Sequence, residues 1–196
     1  ISLKAINCDD DKYADEWNEI KDIIDSISDE EIMAEFPKRK NKSLSVAINN
    51  ILKSKFTEHD WLAEAPLFQD PEYDEGKEKV WRLDFAKNVI SIEVSFNHGE
   101  ALAWNLTKPT LAGETNHVRK ARNTKVGVII LVTQNMKTAG GFDGAVGEFE
   151  KAIRYLKPMN SILTVPLVLI GLEKPDSFYI KHKKVGTKNI GEITHY

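Results

Sequence analysis

The chain of 196 residues contains one cysteine, Cys8, and few long apolar runs. A single cysteine excludes an intrachain disulfide and suits a reducing compartment, so we expect a cytoplasmic protein. The longest apolar run, Val126–Val132, is far shorter than the roughly 18 residues of a membrane span. We therefore expect no membrane association. Internal repeats and low-complexity segments are also missing, which argues against a repeat architecture.

Charge of one sign is not in excess either. Acidic residues number 30 and basic residues 27, giving a formal net charge of −3, which does not by itself indicate a nucleic-acid partner. The basic residues are clustered, however, within Lys38–Lys42, Arg119–Lys125 and Lys181–Lys188. One such cluster is more often a solvated loop than a phosphate-binding surface. Three of them in a small acidic protein modestly favour a polyanionic partner.

The length suits one domain with its own core, and we expect a single domain over residues 1–196. Within it, residues 1–60 are predicted to be mainly helical, 80–171 to form the core and 172–196 to be a C-terminal tail. Helical spacing of apolar residues predicts helices over Asp11–Ile27, from Ser43 to Leu52, over Gly99–Lys108 and over Gly144–Leu156. β-Branched runs predict strands over Val80–Ala86, Val89–Phe96, Val126–Thr133 and Ser161–Gly171, with Pro66–Lys79 as an exposed loop. This order predicts an α/β fold with a central mixed β-sheet flanked by helices.

The predicted hairpin of residues 80–96 carries two acidic residues. If Lys87 and Asn88 form a two-residue turn, Asp84 faces Ser91, and Asp84 and Glu93 are diagonal neighbours about 7–8 Å apart at their backbones. Two carboxylates at that spacing can meet on one divalent ion, and oxygen ligands favour Mg²⁺. The alternative is an ordinary half-buried hairpin, in which two acidic residues on the solvated face are common.

Strict alternation divides the hairpin into two faces. The apolar face would hold Trp81, Leu83, Phe85, Ile90, Ile92, Val94 and Phe96. The solvated face would hold Arg82, Asp84, Ser91, Glu93 and Ser95.

Several blocks of the sequence resemble one family of nucleases. Asp84–Phe96 resembles the active-site hairpin of the BglII/BstYI group of restriction endonucleases, which belongs to the PD-(D/E)xK nuclease superfamily. Val126–Leu131 resembles the next core strand of that group, Val165–Leu172 its late strand, and Gly191–Tyr196 the end of its chain. The blocks occur in the same order and with similar spacing. The resemblance implies a restriction-endonuclease-like core in a protein of the prokaryotic cytoplasm.

The resemblance also implies a catalytic centre. Asp84 and Glu93 would be ligands of Mg²⁺, with the main-chain carbonyl of Val94 as a further ligand. The third position, where the superfamily usually has lysine and this group often has glutamine, is Ser95. Its hydroxyl can hydrogen-bond an attacking water but brings no positive charge.

A further acidic residue of such sites enters from the segment before the hairpin. The stretch Thr57–Glu64 resembles that segment, and Glu64 lies at about the matching offset. Glu58 and Asp60 are rivals for the same role, and at least two of the three acids are expected to be surface residues.

For DNA recognition the resemblance points to two segments. Asn97 and His98, just after the catalytic strand, would lie near the major groove. The segment 134–143 matches the base-contacting loop of the group, where side-chain donors and acceptors and flexible glycines would approach base edges. The residues implicated there are Gln134, Asn135, Lys137, Thr138, Gly140 and Gly141. The alternative is an ordinary glycine-rich connection.

The function implied is that of a type II restriction endonuclease. It would act as a homodimer on double-stranded DNA, cut a short palindromic site that in this group tends to centre on GATC, and leave 5′-phosphate ends. Two alternatives stay open: a DNA-binding protein of the same fold whose cleavage is weak or lost at Ser95, and a PD-(D/E)xK repair nuclease that recognises DNA structure. A purely structural protein gives no reason for Asp84 and Glu93 to share a face.

Overall fold

The computed structural model describes residues 13–36, 41–69, 73, 81–114, 121 and 123–196. Lys38–Lys40, Arg119, Lys120, Arg122 and most of the predicted loop Pro66–Lys79 lie outside the described residues. The helices are α1 (Ala14–Asp25), α2 (Asp29–Glu35), α3 (Ser45–Glu58), α4 (Leu102–Gly113), α5 (Gln134–Ala139) and α6 (Phe149–Met159). The strands are β1 (Leu62–Pro66), β2 (Arg82–Lys87), β3 (Ile90–Val94), β4 (Val126–Val132), β5 (Leu167–Leu172), β6 (Phe178–Val185) and β7 (Lys188–His195).

Five strands form one mixed sheet in the order β1-β2-β3-β4-β5. β1 pairs with β2 and β2 with β3 in antiparallel fashion, whereas β3 pairs with β4 and β4 with β5 in parallel. β6 and β7 form a separate antiparallel hairpin where the sequence predicted only a tail. The predicted fold class, a central mixed sheet flanked by helices, is confirmed.

Helices cover both faces of the sheet, and the alternation of β4 shows how. Val128, Ile130 and Val132 pack in a cluster with apolar residues of α1, α2 and α3. Ile129 and Leu131, which point the other way, pack with residues of α4 and α6. Every residue of β4 is buried, as the continuous apolar run Val126–Val132 predicts. No described helix is long and apolar enough to cross a membrane.

α4 extends past the residue at which the sequence predicted its end. Pro109 lies inside the helix, which continues to Gly113. A proline in a helix interior removes one backbone hydrogen bond, so packing must compensate. Pro109 is buried against Gly127 of β4, where an added β-carbon would come within 2.5 Å of the proline ring. The missing side chain of Gly127 therefore lets α4 lie directly on the sheet.

The turn of the β2–β3 hairpin is one residue later than predicted. Lys87 pairs with Ile90, so the loop is Asn88 and Val89 rather than Lys87 and Asn88. Asn88 has a φ of 51°, a left-handed conformation that asparagine tolerates well. Its side chain also donates to Glu16 Oε1 at 2.6 Å. Moving the turn shifts the register by two residues, which keeps the faces but changes the partner of every residue.

Candidate active site

The candidate site lies where β2 and β3 separate. Their ladder ends at the pair Phe85 and Ile92, and the next step of this register brings Asp84 opposite Glu93. The predicted diagonal arrangement, with Asp84 facing Ser91, is therefore wrong, because Ser91 pairs with Ala86. Direct opposition brings two acidic residues closer than a diagonal does.

Beyond the end of the β2–β3 ladder, the Asp84 side chain replaces a backbone carbonyl as the hydrogen-bond acceptor. Its Oδ2 accepts a hydrogen bond of 2.6 Å from the main-chain N–H of Val94. This N–H would otherwise be an unsatisfied donor at the end of β3. The same bond leaves the Val94 carbonyl and the second oxygen of Asp84 as candidate ligands beside Glu93.

The β3 side of the second predicted face is buried, not solvated, whereas Arg82 and Asp84 of β2 are half-buried. Ser91, Glu93 and Ser95 have exposures of 0%, 1% and 2%. The reason is α4, which contacts this face through Lys108 and Asn105. The other face also departs from strict alternation, because Leu83 packs with Ala86 and residues of α4 rather than with Phe85.

Glu93 is held through one of its two oxygens. Lys108 Nζ donates to Glu93 Oε2 at 2.7 Å and to the carbonyl of Arg82 at 3.0 Å. Glu93 Oε1 is buried and has no hydrogen-bond partner among the residues that the structure describes. A buried carboxylate oxygen without a partner is costly, and such atoms commonly mark a place for an ion or a ligand.

The electrostatics of the pair point the same way. Burial raises the pKa of Glu93 to about 8, the charge of Asp84 adds to this rise, and the Lys108 ammonium opposes it. The pKa of Asp84 is also raised, first by burial and further by the charge of Glu64, against the lowering effects of the Val94 N–H and Lys108. Two carboxylates that resist ionisation side by side would be stabilised by a cation between them.

Glu64 comes from β1, which the sequence did not predict as a strand. In the register of β1 and β2, Ala63 pairs with Phe85 and Ala65 with Leu83, so Glu64 lies opposite Asp84 on the neighbouring strand. Its φ of 53° is left-handed, an uncommon conformation for glutamate that functional sites often impose. The rivals Glu58 and Asp60 are exposed, Glu58 at the last position of α3 and Asp60 in the turn after it.

A cavity of about 270 Å³ opens onto these residues. Its lining includes Glu64, Asp84, Glu93, Val94, Asn97 and Lys108. Neither Glu58 nor Asp60 lines it. Within the described part of the chain, no three His, Cys, Asp or Glu side chains converge closely enough to hold a metal ion. A metal here would thus be bound by the Asp84 and Glu93 carboxylates with main-chain oxygen and water completing its shell, a ligand set that suits Mg²⁺.

Ser95 is in contact with α4 rather than with the cavity. Its Oγ accepts a hydrogen bond of 2.9 Å from Asn105 Nδ2, and both residues are buried. Its N–H donates to the Ile130 carbonyl of β4 at 2.8 Å. These two bonds fix Ser95, just after the end of β3, to α4 and to β4.

The two predicted DNA-reading segments lie side by side at the carboxyl ends of β3 and β4. Asn97 and His98 are exposed, and His98 forms a β-bridge with Val146. The Gly147 N–H donates to the Asn97 carbonyl at 3.1 Å. Because β3 and β4 are parallel, both segments share one edge of the sheet with Glu93.

The sequence predicted an open loop over the segment 134–143. The structure shows instead that its first part is helix α5. Gln134, Asn135 and Thr138 are exposed on this helix, and the Thr138 hydroxyl donates to the Gln134 carbonyl. Lys137 forms an ion pair of 2.9 Å with Glu148 and is mostly shielded from solvent.

The glycines of the segment pack inward. Gly140 is buried, and a β-carbon there would come within 2.6 Å of the Phe142 ring. Gly141 has a φ of 68° and packs against Ile180 and His182 of β6. His182 also lies 3.1 Å from the Gly141 carbonyl, which ties the basic hairpin β6–β7 to this segment. The lysines of the Lys181–Lys188 cluster are exposed on that hairpin.

Sequence reasoning missed Lys108 and Asn105. Both were expected only as parts of a helix, and nothing in their spacing to Glu93 or Ser95 shows that α4 crosses the polar face of β3. The one available signal was a lysine in an otherwise uncharged stretch, Leu102–Gly113, immediately before a proline.

The fold is similar to that of a restriction endonuclease. The crystal structure of BglII complexed with a DNA 16-mer has 18% sequence identity and a TM-score of 0.62, with 93% of this chain and 92% of that chain covered. Free BglII gives 17% identity and a TM-score of 0.53 with the same coverage. At these identities the likeness shows the fold alone. No curated protein sequence matches the chain.

The family is shown by the sequence. The model of the family described as "Restriction endonuclease BglII/BglIII" matches residues 5–172, which include every element of the five-stranded sheet. The chain belongs to the BglII/BglIII family of restriction endonucleases and is a type II site-specific deoxyribonuclease.

Proposed function

We propose that the protein hydrolyses phosphodiester bonds of double-stranded DNA in a Mg²⁺-dependent reaction, with Asp84 and Glu93 as the metal-binding carboxylates. The observation that carries the proposal is the buried Glu93 Oε1, which has no hydrogen-bond partner among the described residues and lies opposite Asp84 at a cavity open to solvent. When bound, a divalent ion in this family supplies charge neutralisation and an acidified water molecule. The Val94 carbonyl would be the third protein ligand.

The residues around the cavity would hold the metal ligands in place and set the charge of the site. Asp84, fixed by the Val94 N–H, and Glu93, fixed by Lys108, hold their free oxygens toward the same cavity. Glu64, across from Asp84, lines the cavity and adds negative charge that favours a cation. Ser95 is anchored to Asn105 and positions the end of β3. Attack by water in line with the leaving 3′ oxygen leaves a 5′ phosphate.

DNA recognition is proposed for the edge of the sheet next to this cavity. The exposed side chains of Asn97, His98, Gln134 and Asn135 offer donors and acceptors to base edges. The remaining predicted contacts, Lys137, Thr138, Gly140 and Gly141, shape this surface through their internal packing. The exposed lysines of β6–β7 fit sequence-independent contacts to phosphates.

Residues 1–196 are proposed to act as one endonuclease domain that forms a two-fold homodimer in the prokaryotic cytoplasm. One subunit would cut each strand of a short palindrome, and a GATC-centred site is the first to test. BglII itself was crystallised with a DNA 16-mer, which supports DNA as the substrate class. Sedimentation of the protein with and without a cognate duplex measures the stoichiometry.

The first test is digestion of a long sequenced DNA with millimolar Mg²⁺ or with EDTA. Discrete bands that vanish in EDTA support a restriction enzyme, and sequencing the ends gives the site and the 5′ phosphate. Specific binding without fragments in any divalent metal would contradict the cleavage proposal and favour a protein that only binds DNA. Fragments dictated by branched or damaged structure would favour a repair nuclease.

Substitutions then test the residues. Asp84→Asn and Glu93→Gln should each abolish cutting while the protein stays folded. Glu64→Gln should slow it, and Glu58→Gln is the matched control, because Glu58 is exposed, lies outside the cavity and accepts a hydrogen bond from the Ser54 hydroxyl. Full activity of Asp84→Asn or Glu93→Gln would refute the site. Equal loss in Glu64→Gln and Glu58→Gln would remove Glu64 from it.

A further inference from the structure

Lys108 is a buried, positively charged residue whose burial the helical pattern of α4 does not predict. It has an exposure of 8% in the middle of α4, and a lysine is rarely buried unless it is paired. Its partners are Glu93 Oε2 and the carbonyl of Arg82, so it bridges β3 and β2 at the point where their ladder ends. It also lines the cavity of the candidate site.

The backbone around Lys108 is held in place. Pro109, the next residue, is packed against Gly127 at a distance that admits no further side-chain atom. Asn105, one helical turn earlier, is tied to Ser95 of β3. α4 therefore presents Lys108 to Glu93 from a rigid support, which is what a precisely placed charge requires.

The hydrogen-bonding capacity of Lys108 is not used up. An ammonium group has three N–H donors, and the described residues accept two of them. The third has no acceptor among the described residues, and Lys108 lines the cavity. Meanwhile Ser95, anchored to Asn105, brings no charge to the reaction, whereas Lys108 contacts Glu93 at 2.7 Å. Lys53 also lines the cavity, but the ion pair that the described residues form with Glu93 is that of Lys108.

We propose that Lys108 is the active-site cation of this enzyme. It holds Glu93 by Oε2, so that Oε1 faces the cavity, and its third N–H binds the attacking water or the scissile phosphate. The inference rests on the proposed function, because it assigns a role at the same site. A positive donor aimed at developing negative charge stabilises a transition state more than a ground state.

The competing explanation is structural. Lys108 would then only neutralise the buried Glu93, and a divalent ion on Glu93 would make it dispensable. The two explanations differ at saturating Mg²⁺: the structural role predicts that cutting by a Lys108 variant is restored, and the proposal predicts that it is not.

The test uses the full chain with Lys108→Met, Lys108→Gln and Lys108→Arg. Glutamine can still donate to Glu93 but carries no charge, and arginine keeps the charge. The matched control is Lys55→Met, which removes a lysine paired with Glu31 on the opposite side of the sheet. Circular dichroism and thermal unfolding establish that each variant is folded.

We expect Lys108→Met and Lys108→Gln to lose on the order of 100-fold or more in single-turnover rate at saturating Mg²⁺, as removal of one such donor typically does. KM for DNA and Ca²⁺-supported DNA binding, measured by fluorescence anisotropy, should change by less than about threefold, which fits loss of a transition-state interaction only. Lys108→Arg should recover part of the rate, and Lys55→Met should cut like the unsubstituted enzyme.

Near-normal cutting by folded Lys108→Gln at saturating Mg²⁺ would overturn the proposal. If Lys108→Met does not fold, Lys108→Gln and Lys108→Arg decide, since a rate that is equally low in both, with DNA binding lost, would also overturn it. Failure of the proposed function is distinguishable, because then the unsubstituted enzyme itself would release no fragments.

Discussion

Metal-free protein should lose stability as the pH rises through neutrality, which is the reverse of the usual behaviour of carboxylates. The pKa of Glu93 is raised to about 8 by burial, and the Asp84 charge adds to the rise. The folded state then holds the Glu93 proton more tightly than the unfolded chain does. The stabilising effect of this proton is fully present below pH 4.5, the ordinary pKa of the group, and is lost as the pH rises through 8.

The magnitude follows from the two pKa values. At about 1.36 kcal/mol per pH unit of difference between folded and unfolded pKa, the loss between pH 4.5 and 8 is about 4 kcal/mol. About 3 kcal/mol of it falls between pH 5.5 and 8, where other carboxylates are already ionised. Such a loss is a large part of the stability of a typical domain, about 5–15 kcal/mol. Asp84, whose pKa is also raised by burial, contributes in the same direction.

Urea unfolding in EDTA at several pH values measures the effect, with Glu93→Gln as the reference. The substitution changes the absolute stability by altering the contact with Lys108, but it removes the titration, so only the slopes are compared. We expect the slope of the unsubstituted protein to be more negative by roughly 1 kcal/mol per pH unit above pH 5.5. Mg²⁺ at 100 times its Kd should add about 2.7 kcal/mol and flatten the curve. Equal slopes in EDTA would refute the reasoning.

Other predictions concern the packing that supports the site. Gly127→Ala should destabilise the protein by about 1–3 kcal/mol, because the new β-carbon overlaps Pro109, whereas Gly144→Ala, with nothing within 4 Å, should stay within about 0.5 kcal/mol in urea unfolding. Ser28→Ala should cost about 1 kcal/mol by removing the N-cap acceptor of α2, seen as a lower urea midpoint, and no change would mean that water replaces it. Burial acts to raise the pKa of Glu148, but the ion pair with Lys137 outweighs it, so the pKa is lowered. The ionised carboxylate therefore stabilises the fold above pH 4.5, and this contribution is lost on acidification. Glu148→Gln should remove it. An unchanged acid-unfolding curve in Glu148→Gln would contradict this.

The parts of the fold that the sequence predicted are those that depend on one element alone. Val126–Val132 reads as a strand buried on both faces because all its residues are apolar, and the structure agrees. The resemblance to restriction endonucleases pointed to Asp84 and Glu93, which the register brings together. β1 was missed, because Leu62–Pro66 is a short segment of mixed polarity that ends in proline.

The parts that were not predictable depend on contacts between elements. A two-residue turn at Lys87 and Asn88 and one at Asn88 and Val89 are equally compatible with the alternation of the hairpin. The later turn is favoured by contacts with α1, where Glu16 and Glu19 accept from Asn88 and Lys87. In the same way, no local pattern reveals that α4 buries the polar face of β3.

The site owes its chemistry to an interruption of the sheet. A complete ladder between β2 and β3 would satisfy the Val94 N–H with a carbonyl and leave no cavity beside Glu93. Because the ladder stops at Phe85, the Asp84 carboxylate accepts that N–H instead. The interruption is costly: Glu93 Oε1 is buried without a described partner, and both carboxylates resist ionisation. A bound divalent cation would relieve each of these costs. The stability that the metal adds over the metal-free protein should therefore grow as the pH rises above about 5.5, and a variant that closes the ladder should gain metal-free stability while losing the metal.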